Sequence, residues 1–309
     1  TDSMVLEYAM YSNTDAVISR ALALTAIVHK YETSIIQLLI DQNDNRECNG
    51  MFMQVFPYTY HILKTNKYGW NGLMYAAVFN NVNGIEWCIS RLENELQTKY
   101  FGYQNSHGIN ALMLASYHGS TDVIKALTRT HNVNLRDSWG SSALHVAVSV
   151  EDDQAKFYRG HLPAAGREKR AVVTSTGQTD KKVVMLERMM KRDMIQTLIE
   201  AGIDVNLRDH RGRTAFYLCC CDGVKQALDV AKILHKAGAD INITDYTGVS
   251  PVVAAARSKV ITVLKWLIDK IRDFDVNHLL TEASSHRSNA TVKFLVTRCS
   301  SFNHQNERG

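Results

Sequence analysis

Residues 204–212 read Asp204-Val205-Asn206-Leu207-Arg208-Asp209-His210-Arg211-Gly212, and similar stretches recur along the chain. Residues 132–140 and 240–248 also end with an Asp and, three residues later, a Gly, whereas a copy at 275–277 lacks the Gly. Two earlier copies begin with Asn, at positions 66 and 105. Asp and Asn side chains bond backbone amides ahead of them, and Gly adopts backbone angles that other residues avoid. The recurrence therefore predicts one type of turn, repeated along the chain.

Each glycine-marked turn is followed by a short apolar segment and then by a longer one. The first segment is rich in small residues, as in Ala143-Leu144-His145-Val146-Ala147, and small residues allow helices to pack closely. The second carries paired aliphatic residues, such as Met194-Ile195 with Leu198-Ile199, whose spacing places them on one helix face. Gly202 and Gly238 follow such segments in the position of a helix C-cap. We therefore expect stacked pairs of helices.

The turn glycines lie at positions 69, 108, 140, 212 and 248, at intervals of 39, 32, 72 and 36 residues. These intervals, with the Asp-x-x-Gly motif before each small-residue helix, resemble the ankyrin repeat, whose unit has about 33 residues. The motif is matched best at 137–148, 209–220 and 245–256. The resemblance implies an all-α solenoid of helix-turn-helix units with short β-hairpin turns and degenerate capping repeats. It also implies that His145 braces a turn and that Cys219 and Cys220 occupy small, buried positions.

The repeat pattern covers residues 66–277 and divides the chain into three expected parts. Residues 1–65 should form N-terminal capping helices or a degenerate repeat, and residues 278–309 a C-terminal capping repeat and tail. The longest glycine interval places an insertion at about 151–182. Residues 151–192 carry ten basic and six acidic side chains, which accounts for the net charge of +4. We expect a mobile loop or, alternatively, a docking or nuclear-targeting element, because the basic pairs at 169–170 and 181–182 resemble a bipartite import signal.

Several classes of protein do not fit this sequence. No apolar run approaches the roughly 18–20 residues that a membrane-spanning helix needs. The six cysteines include no CxxC pair, and no phosphate-binding loop, dinucleotide fingerprint, HExxH or GxSxG motif occurs. We therefore expect a non-enzymatic chain without metal or cofactor that binds neither membranes nor nucleic acid. Its expected location is the cytoplasm or, alternatively, the nucleus.

Repeats of this kind bind partners through their turn tips and the inner face of their first helices. Trp, Tyr and Arg dominate the energetics of protein interfaces, and the repeat places several of them at matching positions. The predicted partner-binding residues are Tyr68, Trp70, His107, Trp139, His210, Arg211, Arg213 and Tyr246 at the tips, and Phe79, Tyr117 and Arg257 on the first helices. A competing interpretation is that Trp70 and Trp139 pack along neighbouring turns.

These features favour a protein–protein interaction scaffold or adaptor whose partner is another protein. An alternative is a regulator similar to the NF-κB inhibitor family, because the insertion and the stretch Leu228-Asp229-Val230-Ala231 are similar to features of its nuclear members. The chain could also be the ankyrin segment of a larger enzyme, channel or microbial effector, which its start at Thr1 leaves open. A third alternative is the binding of a small molecule or nucleic acid.

Overall fold

The computed structural model describes residues 69–78, 80, 82, 85–86, 89, 94–129, 132–149, 181–221, 227–258, 261–271 and 274–297. The predicted N-terminal cap at 1–65 and most of the insertion lie outside these residues, as do the side chains at 72, 75, 94–96 and 181–190. The chain forms two compact units. The described part of the first unit lies within 69–132, and that of the second within 133–149 and 181–297.

The first unit contains α1 (Gly72–Val78), α2 (Asn94–Phe101), α3 (Ala111–His118) and α4 (Thr121–Thr128). Helix α3 begins where the Asn110 side chain accepts a hydrogen bond of 2.9 Å from the Met113 N–H. It ends at Gly119, whose φ of 76° allows the chain to turn into α4. Because α3 packs against both α1 and α4, its side chains are buried on nearly every face.

The second unit is built from four consecutive pairs of helices. Within the described residues these are α5 (Ala143–Val148) with α6 (Lys181–Glu200), α7 (Ala215–Cys219) with α8 (Ala227–Lys236), α9 (Pro251–Arg257) with α10 (Ile261–Lys270), and α11 (Val276–Ser285) with α12 (Asn289–Val296). The first members pack side by side in the order α5, α7, α9, α11, and the second members in the order α6, α8, α10. The second unit therefore has two layers of helices.

The two layers bury different kinds of residue. First-layer helices bury small side chains such as Ala147 and Ala215, which lets neighbouring helices approach closely. Cys219 and Cys220 occupy positions of this kind and are fully buried free thiols. Second-layer helices bury one aliphatic stripe, as α8 does with Leu234, and burying one such side chain contributes about 1.5–3 kcal/mol. The periodicity seen in the sequence thus determines which face of each helix is covered.

The last helix pair begins without the turn that precedes the other pairs of the second unit. The copy at 275–277 lacks the turn glycine; Asp275 is instead the N-cap of α11, and its Oδ1 accepts the N–H groups of Asn277 and His278 at 2.8 and 3.2 Å. The helix begins directly at that point because no Gly follows to form a turn. Helix α11 is held to α9 by an ion pair of 2.7 Å between Arg257 Nε and Glu282 Oε2.

No strand occurs in the described part of the chain, and the predicted all-α class with stacked helix pairs is confirmed. The hairpins between pairs are tight turns, closed in one example by the Asp209 N–H, which donates to the Arg213 carbonyl at 2.9 Å. None of the described helices is both long and apolar enough to cross a lipid bilayer.

Candidate functional site

Three turns of the second unit share one internal geometry, and we name them tip 1 (residues 137–140), tip 2 (209–212) and tip 3 (245–248). In tip 2, Asp209 Oδ1 accepts the N–H groups of Arg211 and Arg213 at 2.9 and 2.8 Å, and the Gly212 N–H donates to the Asp209 carbonyl at 2.9 Å. The aspartates that open tips 1 and 3 make equivalent bonds. Gly212 has a φ of 81°, in the left-handed region that favours glycine.

Backbone hydrogen bonds join the three tips into a stack. The His210 N–H of tip 2 donates to the Trp139 carbonyl of tip 1 at 2.8 Å, and the Tyr246 N–H of tip 3 donates to the Arg211 carbonyl of tip 2 at 2.9 Å. The tips approach so closely that a Cβ on Gly212 would lie 2.6 Å from the Tyr246 nitrogen. Each tip is therefore positioned by its neighbour as well as by its own aspartate.

Two arginines tie consecutive tips together. Arg208 donates from Nε to the Gly212 carbonyl at 3.1 Å and from Nη2 to the Thr244 carbonyl at 2.7 Å. Arg136 makes the equivalent pair of bonds, to the carbonyls of Gly140 and Arg208. This role was not predicted from the sequence. The sequence does contain a signal for it, because an Arg directly precedes the aspartate of the tip in both repeats.

The stack presents aromatic and cationic side chains, and we name Trp139, His210, Arg211 and Tyr246 the tip row. Tyr246 is 66% exposed, His210 and Arg211 are exposed, and Trp139 is half-buried. The Arg211 Cζ atom lies 6.0 Å from the centre of the Trp139 ring, and the Arg208 Cζ atom 4.7 Å from that of the Tyr246 ring. Such cation–π contacts contribute about 0.5–1 kcal/mol at exposed sites, so they help to hold both rings in place.

Four predicted site residues have structural roles instead, which corrects the expectation that they face a partner. Trp70 and Tyr117 are 4% and 3% exposed and belong to the core of the first unit. Arg213 forms an ion pair of 2.8 Å with Asp209, which leaves its side chain only 15% exposed. Arg257 is engaged by the buried carboxylate of α11 described above. A pattern of residue types does not separate these side chains from exposed ones.

The remaining predicted residues are divided between the two units. His107 is half-buried in a turn of the first unit, where its N–H donates to Asn105 Oδ1 at 3.0 Å. Tyr68 and Phe79 lie outside the described residues. The structure thus brings together four of the predicted residues, those of the tip row.

His145 braces tip 2 from helix α5. Its Nε2 donates to the Arg213 carbonyl at 3.0 Å, and its Nδ1 lies 2.9 Å from Ser142 Oγ. Burial lowers the pKa of His145 below its ordinary value of 6.5. The ring is therefore neutral at pH 7, with one nitrogen donating and the other accepting. This geometry agrees with the bracing role that the family resemblance implied.

Asp245 carries the charge of tip 3. Its Oδ2 accepts a hydrogen bond of 3.0 Å from the Tyr217 hydroxyl, which links helix α7 to the tip. Burial raises the pKa of Asp245, but hydrogen bonds from Thr247, Val249 and Tyr217 outweigh this effect and bring the pKa below 3.8. The carboxylate is therefore ionised and fully engaged at neutral pH.

The cysteines of α7 are not positioned for chemistry. Burial raises the pKa of Cys219 to about 12 and raises that of Cys220 as well. The thiolate is the reactive form of cysteine, so both thiols are inert at neutral pH. Within the described ranges, the structure contains no cluster of three or more His, Cys, Asp or Glu side chains that could hold a metal ion.

Comparison with known proteins places this geometry in a family. A family model for ankyrin repeats, in three copies, matches residues 73–157 and 184–279, more than half of the chain. Ankyrin repeat domain-containing protein 63 from Mus musculus is 40% identical over 83 residues, 27% of this chain and 20% of that protein. The ankyrin repeat and KH domain-containing protein mask-1 from Caenorhabditis elegans is 26% identical over 191 residues, 61% of this chain and 7% of that protein.

A third relative, the nuclear factor NF-kappa-B p105 subunit from Gallus gallus, is 31% identical over 161 residues, 50% of this chain and 16% of that protein. The chain thus spans between 7% and 20% of the length of these relatives. The solved structure of EF0377, an ankyrin repeat protein, has a TM-score of 0.51 at 17% identity and covers 75% of this chain and 95% of that chain, which shows a shared fold. Ankyrin repeats are in general protein–protein interaction domains. From its repeated tips and the matching family model, this chain belongs to the ankyrin-repeat family.

Proposed function

We propose that this chain is a protein–protein interaction scaffold or adaptor whose partner protein binds across the tip row. The observation that supports this proposal most is the tip stack, in which hydrogen bonds of 2.8 and 2.9 Å fix three turns against one another. Arg211 and Tyr246 project from that stack with exposed side chains. Aromatic and Arg side chains carry much of the energy of interfaces, and prior ordering lowers the entropy lost on binding.

The chemistry of the tip row defines the surface that a partner should offer. Arg211 has a planar group of five N–H donors, which suits carboxylate or carbonyl oxygens on the partner. The rings of Trp139 and Tyr246 favour an apolar patch beside those oxygens. A partner surface with an acceptor flanked by apolar side chains would match both features.

Capture from a cell extract tests this proposal. The immobilised full chain is compared with an Arg211→Ala/Tyr246→Ala double variant and with Arg192→Ala, which removes an exposed Arg from helix α6 in the other layer. We expect at least one protein to bind the intact chain and the control but not the double variant. Circular dichroism would verify that all three chains are folded. An unchanged set of captured proteins in the double variant would contradict the use of the tip row.

A second candidate function is a regulator that masks a transcription factor. The 31% identity with the NF-kappa-B p105 subunit from Gallus gallus favours it, as does the insertion in the middle of a repeat. In this case a captured protein should bind DNA in a mobility-shift assay, and adding the chain should abolish that binding. Captured proteins without any DNA-binding activity would exclude this candidate. Both candidate functions are compatible with the cytoplasm or nucleus, where the free thiols of α7 would stay reduced.

A further inference from the structure

Within the described part of the chain, no further tip lies against tip 3. In the two inner tips, the next tip lies against the glycine: a Cβ on Gly140 would meet the His210 ring at 2.4 Å, and one on Gly212 would meet the Tyr246 ring at 2.9 Å. Both glycines are buried. Gly248 is exposed, and a Cβ there would meet nothing within 4 Å. The outer side of tip 3 is therefore left open by the residues that the structure describes.

This outer side of tip 3 presents two hydrogen-bond acceptors. The equivalent acceptors in the preceding repeats receive N–H groups from the repeat that follows. The carbonyl at the third position of tips 1 and 2 accepts an N–H from the next tip, whereas no N–H of the described residues donates to the equivalent Thr247 carbonyl. Asn206 Oδ1 accepts the Asp240 N–H at 2.8 Å. Asn242 is the equivalent residue one repeat later; its side chain is exposed, and it receives no such bond within the described part of the chain.

The cause of the open end lies in the last helix pair. A further repeat would place its own tip against Gly248, but helix α11 begins at Val276, directly after its N-cap. The position of a fourth tip is consequently not filled by α11 or α12. The open side is thus a consequence of the sequence at 275–277, which lacks the glycine of a turn.

We propose that a segment of the partner protein occupies the position of this fourth tip. One residue of that segment would place an aromatic or imidazole ring over Gly248 and donate its backbone N–H to the Thr247 carbonyl. The two inner junctions define this chemistry, since His210 and Tyr246 each supply both the ring and the N–H to the tip before them.

A second N–H of the partner segment would reach Asn242 Oδ1, as the Asp240 N–H reaches Asn206 at the junction before it. The occupant is therefore a turn or an extended segment with free backbone donors, because beyond its first turn a helix uses its N–H groups internally. The inference rests on the proposed function in that the occupant belongs to a protein partner. It uses atoms of Thr247, Gly248 and Asn242, none of which belongs to the tip row.

A peptide with the sequence of tip 3 itself is a suitable probe, because tip 3 already fits the outer side of tip 2. We would titrate a cyclic peptide of residues 243–250, Ile-Thr-Asp-Tyr-Thr-Gly-Val-Ser, into the full-length ¹⁵N-labelled chain and record amide spectra. We expect saturable shifts centred on Thr247, Gly248 and Asn242, with a dissociation constant of about a millimolar, as suits so few contacts. A peptide that carries Ala in place of the Tyr should bind at least about tenfold more weakly, because it lacks the ring.

A matched pair of variants locates the site. Gly248→Asn fills the open side, and Asn tolerates positive φ better than most residues. Gly238→Asn is the control, because Gly238 also has a positive φ, of 92° against 82°, and also has nothing within 4 Å of a Cβ. We expect Gly248→Asn to weaken peptide binding at least about tenfold and Gly238→Asn to leave it unchanged.

Several results would overturn the inference. They are the absence of saturable shifts, equal binding of the Tyr and Ala peptides, and binding that survives Gly248→Asn. A concentration-dependent rise in mass that Gly248→Asn abolishes would show that a second copy of this chain fills the site, which also contradicts a partner segment. Different results would contradict the proposed binding at the tip row and the proposed partner segment at Gly248. Lost capture in the tip-row variant without peptide binding contradicts only this inference, whereas peptide binding at Gly248 with unchanged capture contradicts only the tip-row function.

Discussion

Replacing Gly212 by Ala tests whether the tips depend on close contact. A residue with a Cβ costs about 1–2 kcal/mol in the left-handed region, and this cost applies equally to Gly202, whose φ is 82° against 81° at Gly212. The surroundings differ, because a Cβ at Gly202 meets nothing within 4 Å, whereas one at Gly212 would lie 2.6 Å from the Tyr246 nitrogen. Relief of that clash requires tip 3 to move away from tip 2.

The additional cost follows from the bonds that this movement breaks. The Tyr246 N–H would lose its bond of 2.9 Å to the Arg211 carbonyl, a loss of about 0.5–1.5 kcal/mol. The contact between Arg208 and the Tyr246 ring adds about 0.5–1 kcal/mol. We therefore expect Gly202→Ala to lower the free energy of unfolding by about 1–2 kcal/mol and Gly212→Ala to lower it by about 2–4.5 kcal/mol.

Urea unfolding followed by circular dichroism would measure both variants in the full chain, and amide hydrogen exchange would locate the effect. The Tyr246 amide should lose protection in Gly212→Ala and keep it in Gly202→Ala, because only the first substitution opens the junction between tips 2 and 3. Equal losses of stability in the two variants, with the Tyr246 amide still protected, would refute the argument from close contact.

Three further predictions concern titratable groups. The hydrogen bond from Arg257 lowers the pKa of Glu282 below 4.5. The stability that Glu282 contributes is therefore present above pH 4.5 and is lost as the pH falls through the folded-state pKa. In urea titrations, the free energy of unfolding should fall less steeply with acid in Glu282→Gln than in the intact chain. Burial lowers the pKa of His145 below 6.5, so its contribution to stability is complete above about pH 6.5 and declines as the pH falls through the folded-state pKa. An NMR titration of the ring should find its pKa below 6.5, and an unshifted titration would refute its burial. Cys219, with a pKa raised to about 12, should react with iodoacetamide only after urea is added, which mass spectrometry would detect.

The turns and the helix pairs were predictable because their signals are local. An Asp that bonds amides two and four residues ahead, with a Gly at positive φ between them, needs no information from the rest of the chain. The solvent exposure of individual side chains was harder to predict from the sequence. Arg211 and Arg213 are only two residues apart, yet only Arg213 forms an ion pair with Asp209. The separation of four residues between Asp209 and Arg213 could have indicated that ion pair.

The sequence left open whether Trp70 faces a partner or packs inside the protein, and the motif could not decide, because burial depends on residues that the fold brings into contact. The open side of tip 3 shows the same limit. The missing glycine at 275–277 was visible in the sequence, but its consequence, a helix that starts at once and leaves Gly248 exposed, appears only in three dimensions.

The junctions between tips also indicate where new sequence can be added to this chain. Gly140 and Gly212 are 72 residues apart and Gly212 and Gly248 are 36 apart, yet the backbone bonds across the two junctions measure 2.8 and 2.9 Å. The extra residues between Gly140 and Gly212 therefore do not change the backbone hydrogen bond between tips 1 and 2. Because the entropy of closing a flexible loop grows with the logarithm of its length, doubling a loop costs only about 0.6 kcal/mol. An epitope or a reporter domain spliced between residues 151 and 180 should therefore leave the adjoining repeats folded.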